Sequence, residues 1–169
     1  MTGKPFTSRG LVSELNKCGV SHIIWLPDSE INDFYEAIRD QNDILTIPVC
    51  REGEAIPIAF GLVLGGKTPV VLQQNTGLLE SGESVRAFGL DRSFPLLMLV
   101  GQHGWKRPNH PNNSSALYTF PTLDAWGIKH YLVETEEDLA INIPAAFKEA
   151  QETNKIIAVV FRRGAASHD

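Results

Sequence analysis

"CREGEAIPIAFGLVLGGK", Cys50 to Lys67, changes character twice. The apolar run "ILTIPV" (Ile44–Val49) ends just before it and reads as a strand. Arg51, Glu52 and Glu54 follow, and from Ala55 to Leu64 there is no charge at all. Glu52 opens a helix expected to reach about Leu64 and to close at Gly65-Gly66. A second apolar run, "PVVLQQ" (Pro69–Gln74), reads as the next strand. Strand, helix and strand at this spacing make a βαβ unit, which requires parallel strands joined by a right-handed crossover.

The same alternation extends in both directions. "HIIWL" (His22–Leu26) reads as a strand stopped by Pro27-Asp28, and "PLLMLVG" (Pro95–Gly101), "KHYLV" (Lys129–Val133) and "IIAVVF" (Ile156–Phe161) as three more. Helices are expected near Thr7–Lys17, Glu30–Arg39 (with Ser29 as N-cap), Glu80–Leu90 and Glu136–Gln151. Between Gln74 and Glu80 the pattern predicts a turn over Asn75–Gly77, with Gly77 supplying a positive φ. "HGWKRPNHPNNSSA" (His103–Ala116) is rich in Pro and Asn and reads as one long loop. The fold class is therefore α/β: a three-layer α/β/α domain with a mostly parallel, six-stranded sheet and helices on both faces. One domain is expected over residues 1–162, followed by a disordered tail over 163–169.

Bulk properties narrow the function classes. The chain of 169 residues has a net charge of −5 and no Lys/Arg run, which argues against nucleic-acid or anionic-membrane binding. No apolar run approaches the ~18 residues that span a bilayer, and "MTGKPFTSRG" lacks the apolar core of a secretory signal. Cys18 and Cys50 lie far apart without a CxxC spacing, so a reducing cytoplasm is the expected location.

In an open α/β sheet, ligands bind beyond the carboxyl ends of the strands. The residues to interrogate are therefore Pro27-Asp28-Ser29, Arg51-Glu52, Gln73 to Gly77, and Gly101-Gln102-His103. No GxGxxG, GxxxxGK[ST] or GxSxG motif occurs, and no histidine pair has helical metal-ligand spacing. Glu52 alone has a purely structural explanation, since a carboxylate in the first turn of a helix gains ~0.3–1 kcal/mol from the macrodipole. Glu54 is open to the same account, with Arg51 as a partner for either.

The order of these motifs resembles the pyrimidine-binding (PYR) domain of thiamine diphosphate-dependent decarboxylases, from about Thr7 to Phe161. "REGEAIPIAFGLVLGGK" is similar to the stretch in which that family's Glu opens a helix, with Gly61 nine residues later and a Gly66-Lys67 turn. "LPDSE" (Leu26–Glu30) resembles the turn after the first strand, although Asp28 stands where a Gly is usual. "GQHGW" (Gly101–Trp105) resembles the end of the fourth strand, and "FPTLDAWGIKHYLV" the next helix and strand of the acetolactate synthase branch. Gln74-Asn75-Thr76-Gly77-Leu78 is similar to the loop of separately encoded alpha subunits of sulfopyruvate decarboxylase and related phosphonopyruvate decarboxylases.

The resemblance implies that Glu52 is catalytic, bonding the pyrimidine ring of thiamine diphosphate and activating it for attack on a 2-oxo acid. It implies cofactor contacts from Pro27, Gln74, Asn75, Thr76 and Gly77. Ser29, Gln73, His103 and Arg51 are candidates for substrate contact, and Arg51, Arg86, Lys106 and Arg107 for holding a sulfonate or phosphonate. It implies no metal ligand in this chain. Diphosphate and Mg²⁺ fall to a separately encoded PP-domain (beta) subunit carrying a GDG…N motif, since no GDG occurs here, in an α₂β₂ or larger assembly. The implied reaction is decarboxylation of sulfopyruvate to sulfoacetaldehyde and CO₂, or of phosphonopyruvate. A carboligase subunit of the acetolactate synthase kind and a non-catalytic assembly subunit stay open.

Overall fold

In the computed structural model, residues 4–28, 32–39, 43–107, 110–111 and 113–162 are described. The chain runs α1 (Ser8–Lys17), β1 (His22–Trp25), α2 (Asn32–Arg39), β2 (Leu45–Pro48), α3 (Glu52–Leu64), β3 (Pro69–Gln74), α4 (Asn75–Glu80) and α5 (Gly82–Ser84). A π-helical turn (Val85–Leu90) leads to β4 (Leu96–Gly101), a small hairpin of β5 (Trp105–Arg107) and β6 (His110–Pro111), α6 (Ser114–Ala125), β7 (His130–Val133), α7 (Glu136–Thr153) and β8 (Ile156–Phe161). Six strands form one sheet in the order β2-β1-β3-β4-β8-β7, every neighbouring pair parallel. The three-layer α/β/α class expected from the pattern is what forms.

Burial follows the strand period of two. Val70, Leu72, Leu97, Leu99, Ile157 and Val159 join α1, α2 and α7 in one core. Val71, Met98, Val100, Ala158 and Val160 join α3, α4 and α6 in the other. β4 and β8 are apolar on both faces because both are covered. β2 and β7 are the edge strands, and β2 leaves Leu45 62% exposed.

Three expectations need correction. Asn75–Gly77 is not a turn, since α4 starts at Asn75 directly from β3, and Gly77 is not among the positive-φ glycines. The helix expected at Glu80–Leu90 is accordingly split into α4, α5 and the π-helical turn. The long loop from His103 to Ala116 is also shortened, because β5 and β6 pair as a hairpin and the Asn113 side chain caps α6 by accepting from the Ala116 N–H. Ser29, the expected cap of α2, and the tail 163–169 lie outside the described residues. No helix among the described residues is long and apolar enough to cross a membrane.

Leu99 has no exposed surface and sits on a central strand. Leu99→Ala should lower unfolding free energy by about 2–5 kcal/mol in denaturant titration, whereas Leu45→Ala should change it little. Equal losses would contradict the assignment of core and edge.

Candidate active site

With every strand parallel, all the carboxyl ends lie on one rim. β1 has β2 on one side and β3 on the other, reached by crossovers on opposite faces of the sheet: α2 belongs to one core and α3 to the other. This reversal is the topological switch point where open α/β sheets hold ligands. α3 begins there, with Glu52 as its first residue.

Three carboxylates meet at the start of α3, and they have different tasks. The first N–H groups of any helix lack intrahelical acceptors, and the N-cap residue Arg51 has no acceptor side chain to offer. Glu54 accepts from the Cys50 N–H at 3.1 Å. Glu80, from the end of α4, accepts from the Gly53 N–H at 2.8 Å and forms an ion pair with Arg51. The structure therefore pairs Arg51 with Glu80, not with Glu52 or Glu54. Pro57 lies inside α3 and has no N–H for the Gly53 carbonyl; the Ser84 hydroxyl donates to that carbonyl instead, at 2.7 Å. Among the described residues, the Glu52 carboxyl has no hydrogen-bond partner.

Glu52 is half-buried and packs on Gly77. A Cβ at Gly77 would lie 2.4 Å from Glu52 Cγ and 2.7 Å from its Oε1. The glycine is needed here for close approach, not for backbone conformation. Val49, Ala55 and Ile56 are buried beside this junction, whereas Cys50 is exposed.

Asn75 is fully buried. Its Nδ2 donates to the His103 carbonyl at 3.0 Å and to Thr119 Oγ1 at 3.2 Å, and its Oδ1 accepts from the His103 N–H at 3.2 Å. It thus clamps the start of α4 to the turn after β4 and to α6. His103 itself is exposed. Gln73 is also buried; its Nε2 donates to Met98 Sδ at 3.3 Å, and its Oε1 is buried without a hydrogen-bond partner among the described residues. Thr76 Oγ1 donates to Gln74 Oε1 at 2.6 Å, and both residues reach the surface, as does Pro27. Glu52, Gly77, Gln74 and Thr76 are thereby gathered on the rim.

Arg86 is occupied elsewhere. It binds Glu83 at 2.8 Å and Asp91 at 2.7 Å on the outer surface, and its hydrogen bond holds the Glu83 carboxyl below the usual carboxylate range. The side chains of Lys106 and Arg107 lie outside what is described. A cation that sequence reading did not single out is Arg162, just after β8. Its Nε donates to Gln102 Oε1 at 3.0 Å and its Nη1 reaches Glu134 at 3.4 Å. Gln102 Nε2 in turn donates to the Ala116 carbonyl at 3.3 Å, which ties this rim to α6. Glu80 and Ser84 were missed as well. A cap residue without an acceptor and a proline inside the helix do signal unmet backbone groups, but they do not say which residues meet them. A cleft of about 240 Å³ lined by Trp126, Ile128 and Lys155 opens at the amino ends of the strands, away from Glu52. Among the described residues, no group of His, Cys, Asp or Glu converges to hold a metal ion.

Sheet order, switch point and a glutamate opening α3 are the arrangement that the resemblance to a PYR domain implies. The chain belongs to the thiamine pyrophosphate enzyme family through its N-terminal TPP binding domain, whose profile matches residues 7–111. Sulfopyruvate decarboxylase subunit alpha of Methanococcus maripaludis is 30% identical over 86 residues, 51% of this chain and 52% of that one. The subunits of the same description from Methanocaldococcus jannaschii and Methanothermobacter thermautotrophicus are each 26% identical, covering 57% and 58% of this chain. The chain spans between 52% and 59% of the length of these relatives.

The contact between Glu52 and Gly77 is testable without a ligand. Gly77→Ala should destabilise the protein by about 1–3 kcal/mol through overpacking. Adding Glu52→Ala should recover most of that loss in a double-mutant cycle. Strict additivity of the two substitutions would show that the side chain does not lie on the glycine.

Proposed function

We propose that this chain is the PYR subunit of a thiamine diphosphate-dependent 2-oxo acid decarboxylase, with sulfopyruvate as the favoured substrate and phosphonopyruvate as its nearest analogue. The observation that carries the reading is the division of labour at α3. Glu54 and Glu80 satisfy backbone groups, while Glu52, at the switch point, keeps an uncommitted carboxyl. A non-catalytic assembly subunit would have no use for that uncommitted group. The names of the relatives supply the substrate class.

The residues present fit the cofactor's aminopyrimidine. Gly77 lets the Glu52 side chain lie close against α4, and the buried Gln73 Oε1 has no donor among the described residues. When bound, thiamine diphosphate supplies the electron sink that makes loss of the carboxylate feasible. Glu52 would hydrogen-bond a ring nitrogen and exchange a proton with it. Gln74, Thr76 and Pro27 would border the ring, and Asn75 fixes the backbone that carries Gln74 and Thr76. Ser29, His103 and Arg51 are kept as substrate-side contacts, with Arg51 anchored by Glu80.

Diphosphate and Mg²⁺ are assigned to a beta subunit, in an α₂β₂ or larger complex. The end of α3 supports a partner: the helix carries no charge after Glu54, Ile58, Phe60, Leu62 and Val63 are only half-buried, and Leu64 is 73% exposed. Isolated, the chain should bind thiamine diphosphate weakly in calorimetry, and tight stoichiometric binding would contradict the shared site. In the reconstituted complex with Mg²⁺, Glu52→Gln should lower CO₂ release from sulfopyruvate by roughly 10²–10⁴-fold. Full activity of that variant would sink the reading.

A further inference from the structure

We infer that Glu80, assisted by Ser84, is the positioning residue for Glu52. The inference rests on the proposed role of Glu52 and extends it to residues that touch neither cofactor nor substrate. The start of α3 is poorly made for a helix that must present a side chain accurately. Its cap residue, Arg51, has no acceptor; its second residue is Gly53, a weak helix former; and Pro57 removes the N–H that the Gly53 carbonyl would receive. Left to itself, this turn would fray.

Both orphaned groups belong to Gly53, the residue next to Glu52, and both are met from the α4–α5 segment. Glu80 Oε2 accepts from the Gly53 N–H at 2.8 Å and Ser84 Oγ donates to the Gly53 carbonyl at 2.7 Å. The same Glu80 carboxylate pairs with the Arg51 side chain, so it engages the residues on both sides of Glu52, one through its side chain and one through its backbone. The glycine admits this approach, since a Cβ at position 53 would already stand 3.3 Å from Glu80 Oε2. Gly77, on which the Glu52 side chain rests, is three residues before Glu80. Residues 77 to 84 thus supply both the surface under the Glu52 side chain and the clamp on its backbone.

A misplacement of about 1 Å in a reacting group costs on the order of 10²-fold in rate. In the reconstituted complex, Glu80→Ala should therefore lower kcat by roughly 10–100-fold and leave KM for the 2-oxo acid within about 2-fold. Glu80→Gln keeps an acceptor for the Gly53 N–H and should restore kcat to within about 3-fold of the parent. Glu83→Gln, on the outer surface, should change nothing. In the full chain without cofactor, hydrogen exchange at the Gly53 amide should be slow and should quicken by at least about 10-fold in Glu80→Ala or, if that variant does not fold, with smaller effect in Ser84→Ala. An unprotected Gly53 amide in the parent overturns the inference, as does a Glu80→Gln variant as impaired as Glu52→Gln. Unchanged kcat in Glu80→Ala beside an inactive Glu52→Gln would overturn the clamp and leave the proposed function standing. An active Glu52→Gln would remove the function itself.

Discussion

Strands β3, β4 and β8 present apolar side chains to both faces of the sheet, and neither face tolerates water. Each face must carry helices, so each strand returns by a crossover and its neighbours run parallel. Parallel strands place all their carboxyl ends on one rim. Where the crossovers change face, at β1, the rim opens and α3 begins. Glu52 stands there because two-sided burial permits no simpler connection.

The rim sets a second constraint, the satisfaction of backbone polar groups at helix starts. Arg51 offers no acceptor and Pro57 offers no donor, so α3 takes its missing partners from α4 and α5. That arrangement leaves Glu52 as the uncommitted carboxylate among three. The same economy appears after β4, where the Asn75 amide uses both ends on the His103 backbone. Loops that looked unconstrained in sequence are held by buried amides.

Periodicity made the architecture legible. α3 over Glu52–Leu64, β3 over Pro69–Gln74 and β8 over Ile156–Phe161 stand where the alternation of apolar runs put them. The departures occur where a side chain far along the chain decides the backbone. Asn75–Gly77 has the composition of a turn, yet it is helical, with Asn75 anchored to His103 and Thr119. Gly77 suggested a positive φ, and its real service is room for Glu52. Arg51 suggested a partner next door and found one in Glu80, 29 residues away.

Sequence by itself determined the layer order and the parallel sheet. It also put a carboxylate just beyond the carboxyl end of the second strand. These follow from local periodicity and from the chirality of crossovers, which every residue reports through its neighbours. It did not determine which of Glu52, Glu54 and Glu80 is uncommitted. That was settled only in the tertiary structure, because a carboxylate's task depends on which backbone N–H groups lie within hydrogen-bond reach, and those belong to elements brought together by the folded sheet.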